Sequence, residues 1–324
     1  MADRARRWTD ARLLEMESHI RRIFEQSKSE LTEKWDKYMR SGKERLDALY
    51  DAYTMAPADK KAEMLKKYQD ALKNFTFKNK WYREMVAQTT YKLAHVNEIA
   101  IGYINGEMPA IYAHNFNYND PDALMIRANW SIRDEHMIKN LIQDSLPEKT
   151  VNVAKDVAWN KKQINSSVLQ GVVQGESIDK ISKRLLPIVG NNETAAIRTA
   201  RTMVTGAENR GRLDKYREYE ENGVIMTKVW IATPDNRVRN WHLSMDGQEV
   251  PVDDTFTDGQ GFELDYPGDP GAPANTVYNC RCSMRSHILG VRQKDGSIQK
   301  MEYFRHDGLH QQQISAERSR REGD

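Results

Sequence analysis

The chain has 324 residues, enough for one large domain or for two to three smaller ones. Charged residues make up 30% and hydrophobic residues 39%, with a mean hydropathy of −0.79, a balance that favours long, exposed amphipathic helices over a compact, core-rich enzyme. The net charge of +2 decides nothing about nucleic acid, because only local clustering matters there. Seven Trp, seven Phe and fourteen Tyr supply packing anchors and argue against disorder throughout. No apolar run reaches the length of a membrane span, and the charged N-terminus lacks a signal-peptide core, so synthesis in a cytoplasm without a cleavable export signal is expected. Only Cys280 and Cys282 are present, and an i,i+2 bridge is strained, so both are expected reduced.

From residue 8 to 40, Leu13, Met16, Ile20, Ile23, Leu31, Trp35 and Tyr38 recur at helical spacing. Thr9 or Asp10 is a candidate cap and Ser41-Gly42 a candidate stop. The stripe is narrow, so a helix packing on its own chain is favoured over an intermolecular coiled coil, with self-association left open. A second helix is expected after Ala56-Pro57. Between Lys60 and Arg83, Lys60, Lys61, Lys66, Lys67, Lys73, Lys78, Lys80 and Arg83 face only Glu63 and Asp70, a local net charge of +6. Tyr68, Phe75, Phe77, Trp81 and Tyr82 are interleaved. Basic side chains neutralise phosphates and aromatics stack on bases, so non-specific contact with double-stranded DNA competes here with a plain solvated helix face.

Residues 84 to 150 read as helices broken by loops, with Tyr112 to Pro121 a turn-rich loop; His95, His114 and His136 show no ligand spacing. From Thr150 a helix is expected to run to about Gln174 and stop at Gly175, followed by a shorter one capped by Ser177 and ending before Pro187. A long third helix is expected from near Asn192 to Glu221, its inner face made by Ala196, Ile197, Ala200, Val204, Ala207, Leu213 and Tyr216. Beyond Gly223 the period changes to that of a strand, at Val224 to Ala232, with turns at Thr233 and at Met245-Asp-Gly-Gln. Residues 246 to 270 hold eight acidic and no basic side chains, the composition of a solvated or protein-docking surface, and their spacing does not fit an EF-hand loop. After Gly290 a mixed-charge tail is expected to be poorly ordered at its end. The fold class is thus mainly α with a small C-terminal α+β domain. It divides into a helical N-terminal region (1–149), a helical platform (150–223), a loop-rich α+β domain (224–289) and a tail (290–324).

The most informative pattern lies between residues 230 and 282. It comprises Trp230, Thr233, Asp235, Arg237, Arg239 and His242, then Asp246-Gly247, Phe256, Tyr266-Pro267-Gly268-Asp269-Pro270 and Asn279-Cys280-Arg281-Cys282. With Thr199-Ala-Arg-Thr and Glu208-Asn-Arg-Gly-Arg upstream, it resembles the C-terminal domain of the Mu F-like phage head-morphogenesis family, over about residues 192 to 285. Three chemistries compete for the pattern. His242, Cys280 and Cys282 offer metal ligands, but no fourth is evident and paired Cys-x-x-Cys knuckles are missing, so zinc is not the favoured reading and no cofactor is expected. Asp235, Arg239, His242 and Arg281 could act on an anion, yet no nucleophile elbow or phosphate loop accompanies them. A buried structural cluster that pins loops is therefore expected, made of Trp230, Thr233, Asp235, Arg237, Arg239, His242, Gly247, Pro267, Gly268, Cys280, Arg281 and Cys282.

The resemblance implies a non-enzymatic minor head protein in the capsid interior of a tailed bacteriophage, made in the host cytoplasm. Such proteins associate with the portal during assembly, with scaffolding or capsid protein as further possible partners, and influence DNA packaging or ejection. Family members can carry a fused hydrolase or toxin module, for which the roughly thirty-four residues after 290 would be too few. A portal-binding adaptor without a DNA role is a further alternative.

Overall fold

The structure, a computed structural model, describes residues 4–118, 146, 148–301 and 308–322, and elements are numbered in chain order among these. Among the described residues, six helices come first: α1 (Arg4–Thr54), α2 (Lys61–Phe75), α3 (Lys80–Tyr118), α4 (Val153–Val173), α5 (Ile178–Lys183) and α6 (Leu186–Glu221). Then follow β1 (Val224–Ile231), α7 (Asn240–Ser244), β2 (Glu249–Pro251), β3 (Phe256–Thr257), β4 (Glu263–Leu264), α8 (Ala274–Val277), β5 (Ser283–Arg292), β6 (Ile298–Lys300) and α9 (Gly308–Glu322). The expected mainly helical chain with a small α+β domain is what forms. Two compact units assemble from separated stretches, one from Met1–Met16, Tyr103–Lys149 and Arg198–Asp324, the other from Glu17–Gly102 and Thr150–Ile197.

In the second unit, apolar and aromatic packing dominates. Leu31, Trp35, Met39 and Leu46 bury the inner stripe of α1. The Tyr38 ring stacks on Phe75 with centroids 4.8 Å apart, and Trp35 meets Tyr82 edge-on at 6.1 Å. Burial of such rings contributes through apolar area and ring geometry together. Gly42, expected to stop the helix, instead lies within it: a Cβ there would sit 2.4 Å from the Phe75 ring, so the glycine serves close packing. Polar groups close the helix ends as their chemistry predicts. Asn152 caps α4 by accepting from the Lys155 amide at 2.9 Å, Gly175 ends it at φ +64, and the Ser177 hydroxyl accepts from the Lys180 amide to start α5.

Other boundaries move for identifiable reasons. Helix α1 begins at Arg4, and Thr9 turns its hydroxyl back to the Ala5 carbonyl at 3.0 Å instead of capping. Helix α6 begins at Leu186, before the expected Asn192; Pro187 lies in its first turn, where a missing N–H costs nothing. Residues 112–118, expected as loop, continue α3 straight through Pro109. There Asn115 is buried and donates to the Ile111 carbonyl and the Thr9 hydroxyl, while Tyr112 and Phe116 pack inward. Tertiary burial overrides the turn-like composition. Residues 119–121 of that expected loop, and His136, lie outside the described residues.

The first unit holds the sheet, in the order β2-β1-β5-β6 and antiparallel throughout, with β3 and β4 forming a separate pair. Strand β1 pairs with β5 along its length, and a bulge between Ile225 and Met226 shifts the register. The core of this unit draws Leu213, Tyr216 and Tyr219 from α6, Met226 and Trp230 from β1, Phe256 from β3, Leu264 from β4, Tyr266 from the loop after it, and Ile288 from β5. The described residues after Gly290 carry more secondary structure than their charged composition predicts. It supplies β6 and α9; Ile314 enters the core, and Arg318 and Arg321 donate to the carbonyls of Leu243 and Val238 at 3.0 Å each.

Candidate functional site

The motif residues converge at the junction of α6, α7 and the start of β5. Cys280 and Cys282 sit in an extended stretch just before β5, where residues two apart share a face. Both thiols point inward and are buried, as is His242 from α7. The His242 Nδ1 stands 3.6 Å from the Cys280 Sγ and 3.7 Å from the Cys282 Sγ. Trp230 closes one side edge-on, with centroids 5.3 Å from the imidazole. The thiols influence each other. The hydrogen bond with Cys282 holds the Cys280 thiol below the ordinary range, while the same bond and burial push Cys282 well above it.

Arg281, between the cysteines, faces the other way and forms a two-pronged pair with Asp235, one bond being 2.8 Å from Nη2 to Oδ1. Chiefly because of these bonds, the Asp235 carboxyl is held down at about 2. The Arg281 carbonyl accepts from the Thr233 hydroxyl at 2.6 Å and from Arg6 at 2.5 Å. Arg239 donates to the Tyr278 carbonyl. Arg237 is different: its side chain is 71% exposed, its amide donates to Asp235, and its guanidinium makes only a loose 3.9 Å ion pair with the same carboxylate. Gly247 has φ +80 and donates its amide to the Trp230 carbonyl at 2.9 Å, while the Trp230 amide donates to the Gln248 carbonyl at 2.9 Å. Pro267 and Gly268 form the loop that meets α6. At φ +84, Gly268 approaches so closely that a Cβ would lie 2.7 Å from the Gly206 amide nitrogen, and the reciprocal Cβ on Gly206 would lie 2.9 Å from the Gly268 carbonyl oxygen.

Several buried polar side chains that hold this region together were not among the residues expected in the structural cluster. Asn209 is fully buried. Its amide group donates to the carbonyls of Thr205, Pro267 and Cys282, and its oxygen accepts from the Met284 amide at 3.1 Å. Thr205 donates to the Cys280 carbonyl at 2.6 Å, and Arg212 reaches the Met284 carbonyl and Glu208. Lys228 shares the core face of β1 with Met226 and Trp230. Its ammonium donates to the Asp265 carbonyl at 2.8 Å and lies over the Phe256 ring, and burial lowers it to about 8. The acidic stretch is also less solvated than its composition suggests. Asp246 accepts from the Ala232 amide and meets His310 at 2.9 Å, while Asp258 accepts from the amides of Gln260 and Phe262. A helical or alternating pattern carries no mark for such positions; only the run Glu208-Asn-Arg-Gly-Arg marked Asn209's neighbourhood.

The basic segment lies apart in sequence, on α2 and the start of α3. All eight of Lys60, Lys61, Lys66, Lys67, Lys73, Lys78, Lys80 and Arg83 are exposed. The aromatics divide: Tyr68 and Tyr82 are buried and Phe75 and Phe77 half-buried, so only Trp81, 72% exposed, is available for stacking. Lys67 pairs with Glu63 at 2.6 Å, a surface ion pair of small energetic weight.

Residues 162–285 match the family described as Phage Mu protein F like protein, so the chain carries a Mu F-like domain. Among similar proteins, the minor head protein GP7 of Bacillus phage SPP1 is 28% identical over 148 residues, which is 44% of this chain and 47% of that protein. A protein of Enterococcus faecalis (strain ATCC 700802 / V583) named NAD(+)--arginine ADP-ribosyltransferase EFV is 28% identical over 147 residues, 44% of this chain and 30% of that protein. The match thus spans less than half the length of either relative. No solved structure matches the chain. Among the described residues, no helix is long and apolar enough to cross a membrane.

Proposed function

We propose that this chain is a minor head protein of a tailed bacteriophage, carried in the capsid interior and engaging the portal protein and the genome. The observation that carries this reading is the Mu F-like domain, held in common with a protein named as a minor head protein. The polar cluster acts structurally: Thr233, Arg239 and Asn209 end on backbone carbonyls, and the Asp235 charge is spent on Arg281. Such an arrangement positions loops and engages the Asp235 carboxylate structurally instead of poising it for a substrate. The reading is therefore non-enzymatic. The activity in the transferase's name is not carried over, because only 30% of that protein is matched.

The DNA role rests on the exposed basic row of α2 and α3, with Trp81 beside Lys80 and Arg83. Contacts of this kind address phosphates without reading bases, so retention on duplex should fall steeply with salt and ignore sequence. Reversal of Lys66, Lys67, Lys73 and Lys78 to Glu should abolish retention while leaving the helical circular-dichroism signal intact. Unchanged retention would leave a portal-binding adaptor with no DNA role. Mass spectrometry of full virions and of emptied heads tests the placement itself. Presence in full particles is expected, and absence from both would remove the virion assignment.

A further inference from the structure

The three side chains at the heart of the Mu F-like domain have a geometry that a packed core does not require. Their potential donor atoms, the His242 Nδ1 and the two Sγ atoms, lie within 4.8 Å of one another, and all three residues are buried. A tetrahedral zinc ion has Zn–S bonds of about 2.3 Å and Zn–N bonds of about 2.0–2.1 Å, which places its donor atoms about 3.5–3.8 Å apart. The two nitrogen–sulfur separations, 3.6 and 3.7 Å, fall within that interval.

Hydrogen bonding explains the triad less completely. A neutral imidazole has one acceptor nitrogen, with a single in-plane lone pair. Here two sulfurs stand almost equally far from that nitrogen, whereas a relay in which one thiol donates to the other and the second to the imidazole uses only one of the two contacts. A cation between the three donors satisfies them at once. Two thiolates would also cancel the charge of a divalent ion, so the buried site would carry no net charge. The backbone prepares the arrangement. Asn279 takes φ +55, the only left-handed non-glycine residue among those described, immediately before the extended Cys-Arg-Cys stretch. The carbonyl of Cys280 is held by Thr205 and that of Cys282 by Asn209, so both thiols are aimed before any ion arrives.

The geometry points to a thiophilic divalent cation site, for zinc, made by His242, Cys280 and Cys282 with a solvent oxygen in the fourth position. Among the described residues, no fourth His, Cys, Asp or Glu joins the group.

The full chain, purified under reducing conditions without chelator, tests this by elemental analysis and by cobalt titration after stripping. The expected result is about one zinc per chain, and thiolate-to-cobalt charge-transfer absorption that saturates at one equivalent and is displaced by zinc. Zinc should also raise the melting temperature by mass action. Cys280→Ser and Cys282→Ser should each weaken binding by more than the roughly 10–100-fold that outer-shell changes cost, whereas His95→Ala at an exposed histidine should leave it unchanged. Should the serine variants fail to fold, the cobalt spectrum of the unaltered chain still decides. Absence of charge-transfer absorption at saturating cobalt, or binding untouched in folded serine variants, would overturn the assignment and leave a hydrogen-bonded thiol pair.

Discussion

The two compact units are held by different physics. In the unit built from Glu17–Gly102 and Thr150–Ile197, ring stacks and apolar stripes dominate: Trp35, Tyr38, Phe75 and Tyr82 form a cluster of rings, with single polar links such as Trp35 to the Thr89 hydroxyl and Asn192 to Asn160 among them. In the sheet-bearing unit, called the Mu F-like unit because it holds residues 198–285 of the family match, buried polar side chains reach across the chain to particular carbonyls, as Asn209, Arg212, Lys228 and Thr205 do. Packing tolerates exchanges that conserve volume, whereas a buried polar link has a fixed partner, so that losing one end strands the other. This explains why the Mu F-like unit reads as a string of particular residues and the helical unit as a periodicity.

A paired comparison of variants is the most severe test of that contrast. Trp35→Ala should cost about 3–5 kcal/mol and Trp35→Phe less, because both lose the indole N–H bond to the Thr89 hydroxyl while the second keeps most of the buried area. Asn209→Leu, near in size, should cost about 3 kcal/mol or more, because carbonyls of Thr205, Pro267 and Cys282 and the Met284 amide lose their partner together. Denaturant unfolding measures both. Near-equal tolerance of the two conservative changes would erase the distinction.

A smaller loss is expected at the loop–helix crossing. Gly268→Ala places a Cβ against the Gly206 backbone at positive φ, and should destabilise the Mu F-like unit by about 1–3 kcal/mol. A Gly247→Ala variant, also at positive φ but with open space around the added carbon, separates conformational strain from the clash and should cost less.

Smaller still are the effects of pH. Lys228 is held at about 8 against an ordinary 10.5, so between these values the unfolded chain binds more protons than the folded one. Stability should therefore rise with pH from about 8 to 10.5, as the cost of burying the charge is relieved. In Lys228→Met that rise should be missing from the difference curve. Asp235 has the opposite lever: its folded value near 2 lies below the ordinary 3.8, so its contribution is present above pH 3.8 and lost as pH falls toward 2. Asp235→Asn should flatten that part of the acid-unfolding curve, by a modest amount because the pair is partly open to solvent.

Much of the fold was legible from the chain alone, and the reasons are local. Asn152, Gly175 and Ser177 mark helix ends because caps and left-handed turns use neighbouring backbone, and the stripe from Ala196 to Tyr216 repeats at helical spacing, all seven of its residues being buried. The switch to a strand after Gly223 shows for the same reason, as does the Trp230 to Cys282 motif, whose residue types recur as a family pattern. Tertiary structure decided what local signals contradict or cannot encode. It carried α3 through Pro109 and Asn115, placed Gly42 under a ring and folded the charged C-terminal stretch as α9, because burial far along the chain outweighs local preference. It decided the triad as well. In sequence, His242 stands 38 residues from Cys280 and lacks the paired Cys-x-x-Cys spacing of a metal knuckle. Only the packing of α7 against the extended stretch before β5 brings the nitrogen within 3.7 Å of both sulfurs, because coordination depends on distances between side chains and not on their order along the chain.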